Sequence, residues 1–551
     1  MSLPARLLRA ASALLLALSL VACAAVAPAP PPPRLVVLLV VDGLPQRQVT
    51  AYRDQLAPDG LARFLDRGTW FAEAHHGQAF TVTAAGHATL LTGAHPRRTG
   101  IIGNEWRDVA TGEPVYCTGD PMETYIGHPT GPMDGTSPRN LKVESLGDVL
   151  RQRDARSKVI AVSGKDRGAI LPAGHAGTAY MYMAGSGQFA STTYYMRQHP
   201  SWVDAFNAAK PADRFFKAEW RPLLPEAAYA RSLPDGQPWF GTGGGKLPMT
   251  MGAAEAAPTP AFYGALLRSP FADALTLDFA RAAVAGEQLG ADDAPDILAV
   301  SLSGHDYVNH RWSAESRLSH DHLLHLDRML QAFFADLDRA VGRDNYVAVL
   351  TADHGFMPAP EHSQAQGRSA GRLSTTQVVA AVNTALEQRF GVQKLVAFAS
   401  ASALVLDRKL VAERRLEPEG VARAARDALL AQPAFAAAYT RGELAGGSPG
   451  ARLAPHFEQM RRSWHPEVSG DVQYALKPHW MFGSSTSIAT HGSPHEYDSH
   501  VPVMLWGPRW MRPAALSTRV EVADIAPTLA RLLGVPAPAA SEGRPLPLAA
   551  P

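Results

Sequence analysis

The seven residues Leu35–Val41, LVVLLVV, contain no polar side chain. A run this short, rich in Val and apolar at every position, leaves neither face of its element able to meet water. That predicts a strand buried on both faces, as in the centre of a parallel sheet covered by helices. The run ends in Asp42-Gly43. An acid at the carboxyl end of such a strand stands where open α/β sheets place ligand groups. Asp-Gly is also an ordinary turn pair, so Asp42 alone decides little.

Downstream, strand and helix patterns alternate. Helices are predicted over Ala84–Leu91, Val143–Arg153, Ala272–Leu289, Ser319–Val341 and Val522–Leu533, and strands over Val159–Ser163, Ile297–Leu302, Tyr346–Leu350 and Val501–Trp506. This rhythm predicts an α/β fold, a doubly wound and mostly parallel sheet with helices on both faces. Two stretches break it. Residues 171–270 are rich in Gly, Pro and aromatics, and residues 390–481 mix a strand-like run, Leu395–Leu406, with a helix over Glu419–Ala431. Both are expected to be insertions capping the carboxyl edge of the sheet, within a catalytic domain spanning residues 35–545.

Residues 1–22 read as an export signal. Arg6 and Arg9 precede an apolar run, Ala11–Ala22, too short to cross a bilayer comfortably. Leu20-Val21-Ala22-Cys23 resembles a bacterial lipoprotein signal with Cys23 as the acylated residue; a plain secretory signal is the alternative. The Ala/Pro-rich residues 23–34 read as a stiff tether. The expected location is periplasmic, with a lipid anchor in the outer membrane, and the expected state is a monomer. With 52 basic and 51 acidic residues the net charge is +1, so nucleic acid gains no bulk attraction. Once Cys23 is acylated, Cys117 has no disulfide partner and reads as a small buried filler.

The chemistry gathers around Ala79–Trp106. Thr83 stands where a β-type pattern gives way to the Ala- and Leu-rich helix that Gly93 is placed to end. A hydroxyl at a helix N-terminus sits among free N–H groups that favour an anion. Taken alone, Thr83 is also an ordinary helix cap. Phe80 reads equally as core or as a neighbour of the substrate. Asn104 follows in Gly-Asn-Glu-Trp. Asp306 and His310, four apart, would share one side of a helical turn. Asp353-His354 follows a predicted strand, and His491 precedes the last one. The chain has 20 histidines, so no single one decides. Their recurrence with Asp at strand ends points to metal. Lys165 and Arg167, two apart, would point the same way in extended chain and reach one pocket, where a Lys charge beside an Arg fork suits a phosphate monoester. A solvated turn is the alternative.

Together, Asp42, the Thr-Ala-Ala-Gly-His segment from Thr83, Gly103-Asn104-Glu105-Trp106, Asp306 with His310, Asp353-His354-Gly355 and His491-Gly492-Ser493 resemble the alkaline phosphatase superfamily. The order and spacing are most similar to its threonine-nucleophile, PafA-like (phosphate-insensitive) branch, close to the type I phosphodiesterase/nucleotide pyrophosphatases. The resemblance runs from about Leu35 to the closing helix. It implies two zinc ions per chain, one held by Asp306, His310 and His491 and the other by Asp42, Asp353, His354 and the Thr83 oxygen. Mixed imidazole and carboxylate donors suit zinc. It further implies a phosphothreonine intermediate on Thr83, with Asn104, Lys165 and Arg167 against the phosphate of a small monoester. A phosphodiesterase would share the metals and Thr83 but normally lacks the Lys-x-Arg pair. A sulfatase would need a Cys- or Ser-x-Pro-x-Arg motif, and a lipoprotein that binds metal or phosphate without turnover is the remaining rival.

Overall fold

Leu35–Val41 is a strand with all seven side chains buried, as its composition demands. Burying such aliphatic side chains contributes about 1.5–3 kcal/mol each before chain entropy is counted. The computed structural model describes residues 30–241, 244–446 and 453–550, and residues 33–551 form one compact unit. Cys23 and the export signal therefore lie outside the described residues. Among those described, no helix is long and apolar enough to cross a membrane.

The central sheet has nine strands: β1 Leu35–Val41, β2 Thr69–Phe71, β3 Val159–Ser163, β4 Thr178–Met183, β5 Gln188–Ala190, β6 Asp296–Leu302, β7 Tyr346–Thr351, β8 Val503–Trp506 and β9 Ala514–Leu516. Their order is β9-β2-β8-β7-β1-β6-β3-β4-β5. β1 runs parallel to both neighbours, with Leu35 beside Asp296 on β6 and Tyr346 on β7. β8 and β5 pair antiparallel with their neighbours. The expected α/β sheet is thus present, with its parallel strands β1, β3, β6 and β7 all ending on one edge. Five helices matter for that edge: α1 Thr83–Thr92, α2 Asp166–Ala173, α3 Pro270–Gly286, α4 Gly304–Trp312 and α5 Arg317–Leu337.

The two stretches expected to be insertions behave differently. Residues 171–270 contribute β4 and β5 to the sheet itself before leaving it. Their Tyr-Met-Tyr-Met run is buried through aromatic packing, Tyr182 against Phe189 and Phe189 against Phe279 at 4.4 Å, which no short-range pattern reveals. Residues 390–481 include a second sheet. Val396–Ala399, Ala403–Leu406, Phe435–Thr440 and Val472–Leu476 make a four-stranded antiparallel sheet with its own hydrophobic core. The run Leu395–Leu406 is a hairpin rather than one strand. Ser400 turns the chain by accepting the Ala403 N–H at 3.1 Å, a side-chain bond that competes with straight pairing.

α1 lies against the end of β7 with unusual closeness. A Cβ on Gly86 would stand 2.1 Å from the Asp353 carbonyl oxygen. Glycine inside a helix costs about 1 kcal/mol relative to alanine, so Gly86→Ala would stabilise an unconstrained helix. Here the clash is with backbone and reverses the sign. We expect Gly86→Ala to lower unfolding stability by about 1–3 kcal/mol, the usual cost of overpacking, measured by urea denaturation. A stabilised variant would refute the close packing.

Candidate active site

Thr83 is the first helical residue of α1, not its cap. Val82 occupies the cap position and makes no side-chain bond there. The free Ala84 N–H is satisfied from outside by Asn104 Oδ1 at 2.9 Å, which leaves the Asn104 amide hydrogens to donate elsewhere. Thr83 Oγ1 lies 3.4 Å from His354 Nε2. His87 Nδ1–H donates to the Thr83 carbonyl at 2.8 Å, and His87 Nε2 accepts from Ser301 Oγ at 2.8 Å. His87 holds the Thr83 backbone, a role that sequence reasoning missed. Its signal was the i,i+4 spacing from Thr83 on one helix face.

Asp42 follows β1, Asp306 and His310 lie on α4 after β6, Asp353-His354 follows β7, and His491 precedes β8. The fold brings all six together. His310, His354 and His491 each donate Nδ1–H to a backbone carbonyl, of Ala489, Gly355 and Thr81, at 3.0, 2.9 and 2.9 Å. A carbonyl only accepts, so these bonds turn each Nε2 toward the acids, as second-shell bonds do for metal-binding imidazoles. His310 Nε2 and His491 Nε2 lie 3.4 and 3.6 Å from Asp306 Oδ1. His354 Nε2 lies 3.4 Å from both Asp42 Oδ1 and Asp353 Oδ2.

Three buried carboxylates therefore meet in a small volume. Like charges about 4 Å apart repel by on the order of 4 kcal/mol at an effective dielectric near 20, so the site requires cations. Lys165 supplies one charge, with Nζ 2.7 Å from Asp42 and 2.5 Å from Asp306. Burial is the largest single influence and favours neutral acids here, yet the Lys165 ammonium together with the neighbouring imidazoles, His354 at Asp42 and His310 and His491 at Asp306, outweighs it and holds both carboxyls well below their usual range. Burial likewise opposes charge on His354, but Asp353 and Asp42 raise it to about 9. Burial dominates at His310 and His491 and keeps both low. Among the described residues Oδ1 of Asp42, Oδ1 of Asp306 and Oδ2 of Asp353 accept no hydrogen bond, and Oδ2 of Asp42 has only the Lys165 ion pair. Such orphaned, buried anionic oxygens fit divalent metal. One atom from each of Asp306, His354 and His491, and one from each of Asp42, Asp353 and His354, fall within 4.8 Å of one another.

Lys165 and Arg167 do not sit in extended chain. Lys165 caps α2 in an extended conformation, and Asp166 and Arg167 form its first turn, where an acid is favoured by the helix dipole. Arg167 Nη1 donates to Tyr116 Oη at 3.0 Å, and Tyr116 donates to Asp166 Oδ1 at 2.6 Å. Arg167 Nε is buried without a hydrogen bond among the described residues. Tyr116 and Asp166 carried no sequence signal of this support, because the contact joins residues 50 apart.

Residues 36–498 match the family described as type I phosphodiesterase / nucleotide pyrophosphatase. The chain belongs to this family. Alkaline phosphatase PafA of Elizabethkingia meningoseptica is 33% identical over 517 residues, covering 93% of this chain and 94% of that protein. Alkaline phosphatase PhoV of Synechococcus elongatus is 32% identical over 517 residues, covering 93% and 92%. The crystal structure of wild-type PafA superposes with a TM-score of 0.87 at 32% identity, over 94% of this chain and 99% of that one. A PafA variant altered at one threonine, one asparagine, one lysine and one arginine superposes equally well, at 0.87. The chain is a hydrolase of the PafA-like group, and its ligand cluster matches the metal dependence that group implies.

If the acid cluster is a metal site, divalent metal must stabilise this PafA-like protein. Metal at 100 times its Kd would add about 2.7 kcal/mol to the folded state. We expect chelation to lower the melting temperature by several degrees and zinc to restore it, read by calorimetry. An unchanged Tm with metal removed would contradict the assignment.

Proposed function

We propose that this protein is a zinc-dependent phosphomonoesterase that works through a phosphothreonine on Thr83. The observation that carries the reading is the Thr83 hydroxyl: it opens α1, makes no capping bond, and lies 3.4 Å from a histidine of the acid-imidazole cluster. Zinc is the metal that a mixed carboxylate and imidazole set favours. Asp306, His310 and His491 would hold one ion, and Asp42, Asp353, His354 and Thr83 the other. Ions bound there supply Lewis acidity toward the attacking and leaving oxygens.

The chain's own groups account for the rest. Thr83 Oγ attacks phosphorus, the bond to the ester oxygen breaks, and the alcohol departs opposite the nucleophile. Water then attacks the phosphothreonine, frees phosphate and returns the hydroxyl. His87 fixes the Thr83 backbone so that the oxygen keeps its aim. Asn104, its Oδ1 engaged by Ala84, offers amide hydrogens to a non-bridging oxygen. Lys165 and the unpaired Nε of Arg167 offer charged donors to the same phosphoryl group. The residue types altered in the PafA variant are the same four, in the same order, which supports the carry-over.

Thr83→Ala should keep the fold and the metal stabilisation while losing at least about 1,000-fold in kcat, because only the attacking oxygen is removed. Phosphopeptide mapping of acid-quenched wild type should find phosphate on Thr83. Phosphate on another residue would move the nucleophile.

A phosphodiesterase reading follows from the family's description and is tested by charge. A monoester dianion can use both Lys165 and Arg167, whereas a diester carries one charge and a second substituent. Charge-assisted hydrogen bonds contribute about 1.5–3 kcal/mol each. Replacing both residues by Ala should therefore lower monoester kcat/KM by roughly two to four orders of magnitude, and that of the matching methyl diester much less. Equal losses would make the pair structural, and a wild type preferring the diester would reverse the assignment.

A further inference from the structure

β7 and β8 pair as far as Thr351 beside Val503. The pairing ends before either His354 or His491 is reached, yet the two imidazoles lie stacked with ring centroids 3.4 Å apart. Contacts beyond the sheet must therefore hold their loops together. On the His354 side the contact is made by backbone. Gly355 N–H donates to the Asp498 carbonyl at 2.6 Å, and Phe356 N–H to the Tyr497 carbonyl at 2.8 Å. The approach leaves no room for a side chain, since a Cβ on Gly355 would stand 2.2 Å from the Tyr497 carbonyl oxygen.

The Asp498 side chain serves the other loop. Its Oδ2 accepts from Ser493 N–H at 3.0 Å and from Ser493 Oγ–H at 2.6 Å. One residue separates Ser493 from His491, and that residue, Gly492, has a φ of +111°. Glycine adopts such a conformation without being fixed in it, so Ser493 is the first residue after His491 that a side-chain bond can fasten. Before His491 the loop is fastened through backbone, where Met357 N–H donates to the Thr490 carbonyl at 3.1 Å. Thr81 ties the same loop to the segment leading into Thr83. Its Oγ1 donates to the Ser493 carbonyl at 2.9 Å, and its carbonyl accepts from His491 Nδ1–H at 2.9 Å. Asp498 is fully buried, and its Oδ1 accepts no hydrogen bond among the described residues. Burying a carboxyl costs free energy that an apolar side chain of similar shape would not. The bonds to Ser493 are what the acid contributes in return.

We propose that Asp498 is a positioning residue: through Ser493 it fastens His491 against the His354 loop, and so sets how tightly one of two ions is held. This inference rests on the metal reading above, in which His491 shares an ion with Asp306 and His310 while His354 shares the other with Asp42 and Asp353. The Asp498 carbonyl serves the His354 loop and is kept in any variant, whereas the carboxylate serves the His491 loop alone. Replacing the carboxylate leaves two buried donors of Ser493 unpaired, and the loop must shift at Gly492 to find them partners. His491 moves with it. The ion on Asp306, His310 and His491 is then weakened, and the ion on Asp42, Asp353 and His354 is not.

The test measures zinc retained per chain, by atomic emission, after metal-loaded protein is equilibrated against buffers of graded free zinc. Asp498→Leu keeps the shape of the side chain and removes its acceptor. It should weaken one binding step by about 10–100-fold, the usual effect of losing a contact behind a ligand, and leave the other within about threefold of the wild type. Asp498→Asn still offers an oxygen to Ser493 and should bring the weakened step back to within about threefold of the wild type. Ser493→Ala removes one of the two bonds without touching the buried acid. It should weaken the same step by a smaller factor, and it decides the matter alone if Asp498→Leu does not fold. Variants that match the wild type in both steps overturn this inference and leave the metal reading standing. Equal weakening of both steps overturns it too, since a general loss of structure would do the same. An Asn variant as weak as the Leu variant overturns the role of the bonds to Ser493. A wild type that retains fewer than two ions removes the two-ion reading, and this inference with it.

Discussion

Asp42, Asp306 and Asp353 are forced together by the sheet. β1 lies between β6 and β7, parallel to both, so acids just beyond all three strands meet on one edge. Their mutual repulsion, in a buried place, is the constraint on which the rest of the site is built. Lys165 is drawn in between two of them. The three clustered imidazoles are locked from behind by carbonyls, and the backbone is tied across the gap by Gly43. Its N–H binds Asp353 Oδ1 at 3.1 Å, and its carbonyl accepts from Asn309 Nδ2 at 3.0 Å. Gly43 has a φ of +71°, and a Cβ there would lie 3.1 Å from Asp306 Oδ1. One glycine thus fixes the spacing between the two groups of ligands, and only glycine meets both conditions without strain.

The parts of this fold that sequence revealed are those where local pattern and global position agree. LVVLLVV can only be a doubly buried strand, and the acids and histidines that follow such strands stand at the functional edge of any open α/β sheet. Gly93, read as the end of α1, does end it at a φ of +65°. Sequence failed where the deciding contact was remote. Thr83 looked like a cap because caps are local, and the residue that satisfies the helix, Asn104, comes 20 positions later. β4 and β5 were hidden in a Gly- and aromatic-rich stretch because their burial depends on Phe279, far along the chain. Lys165-x-Arg167 was read as extended chain, whereas Asp166 begins a helix and only Lys165 meets the clustered acids.

Core and cap divide the labour, and Phe80 joins them. On the proposed function, reaction chemistry and charge recognition reside on the edge of the parallel sheet, in residues that follow its strands. Among the described residues, the stretch 390–481 supplies none of the clustered acids and imidazoles of that edge. Phe80 lies where the two touch. Its ring stands 3.3 Å from the Cβ position of Gly103, just before Asn104, and 3.1 Å from that of Gly492, just after His491. Its backbone N–H binds Ser463 Oγ on the cap side at 3.0 Å. A larger residue at either glycine would displace the ring, and movement of the ring would shift His491 and Asn104 together. Phe80 is therefore a brace between the loops that carry Asn104 and His491, and the stretch 390–481 can change against that edge only as far as Phe80 stays in place.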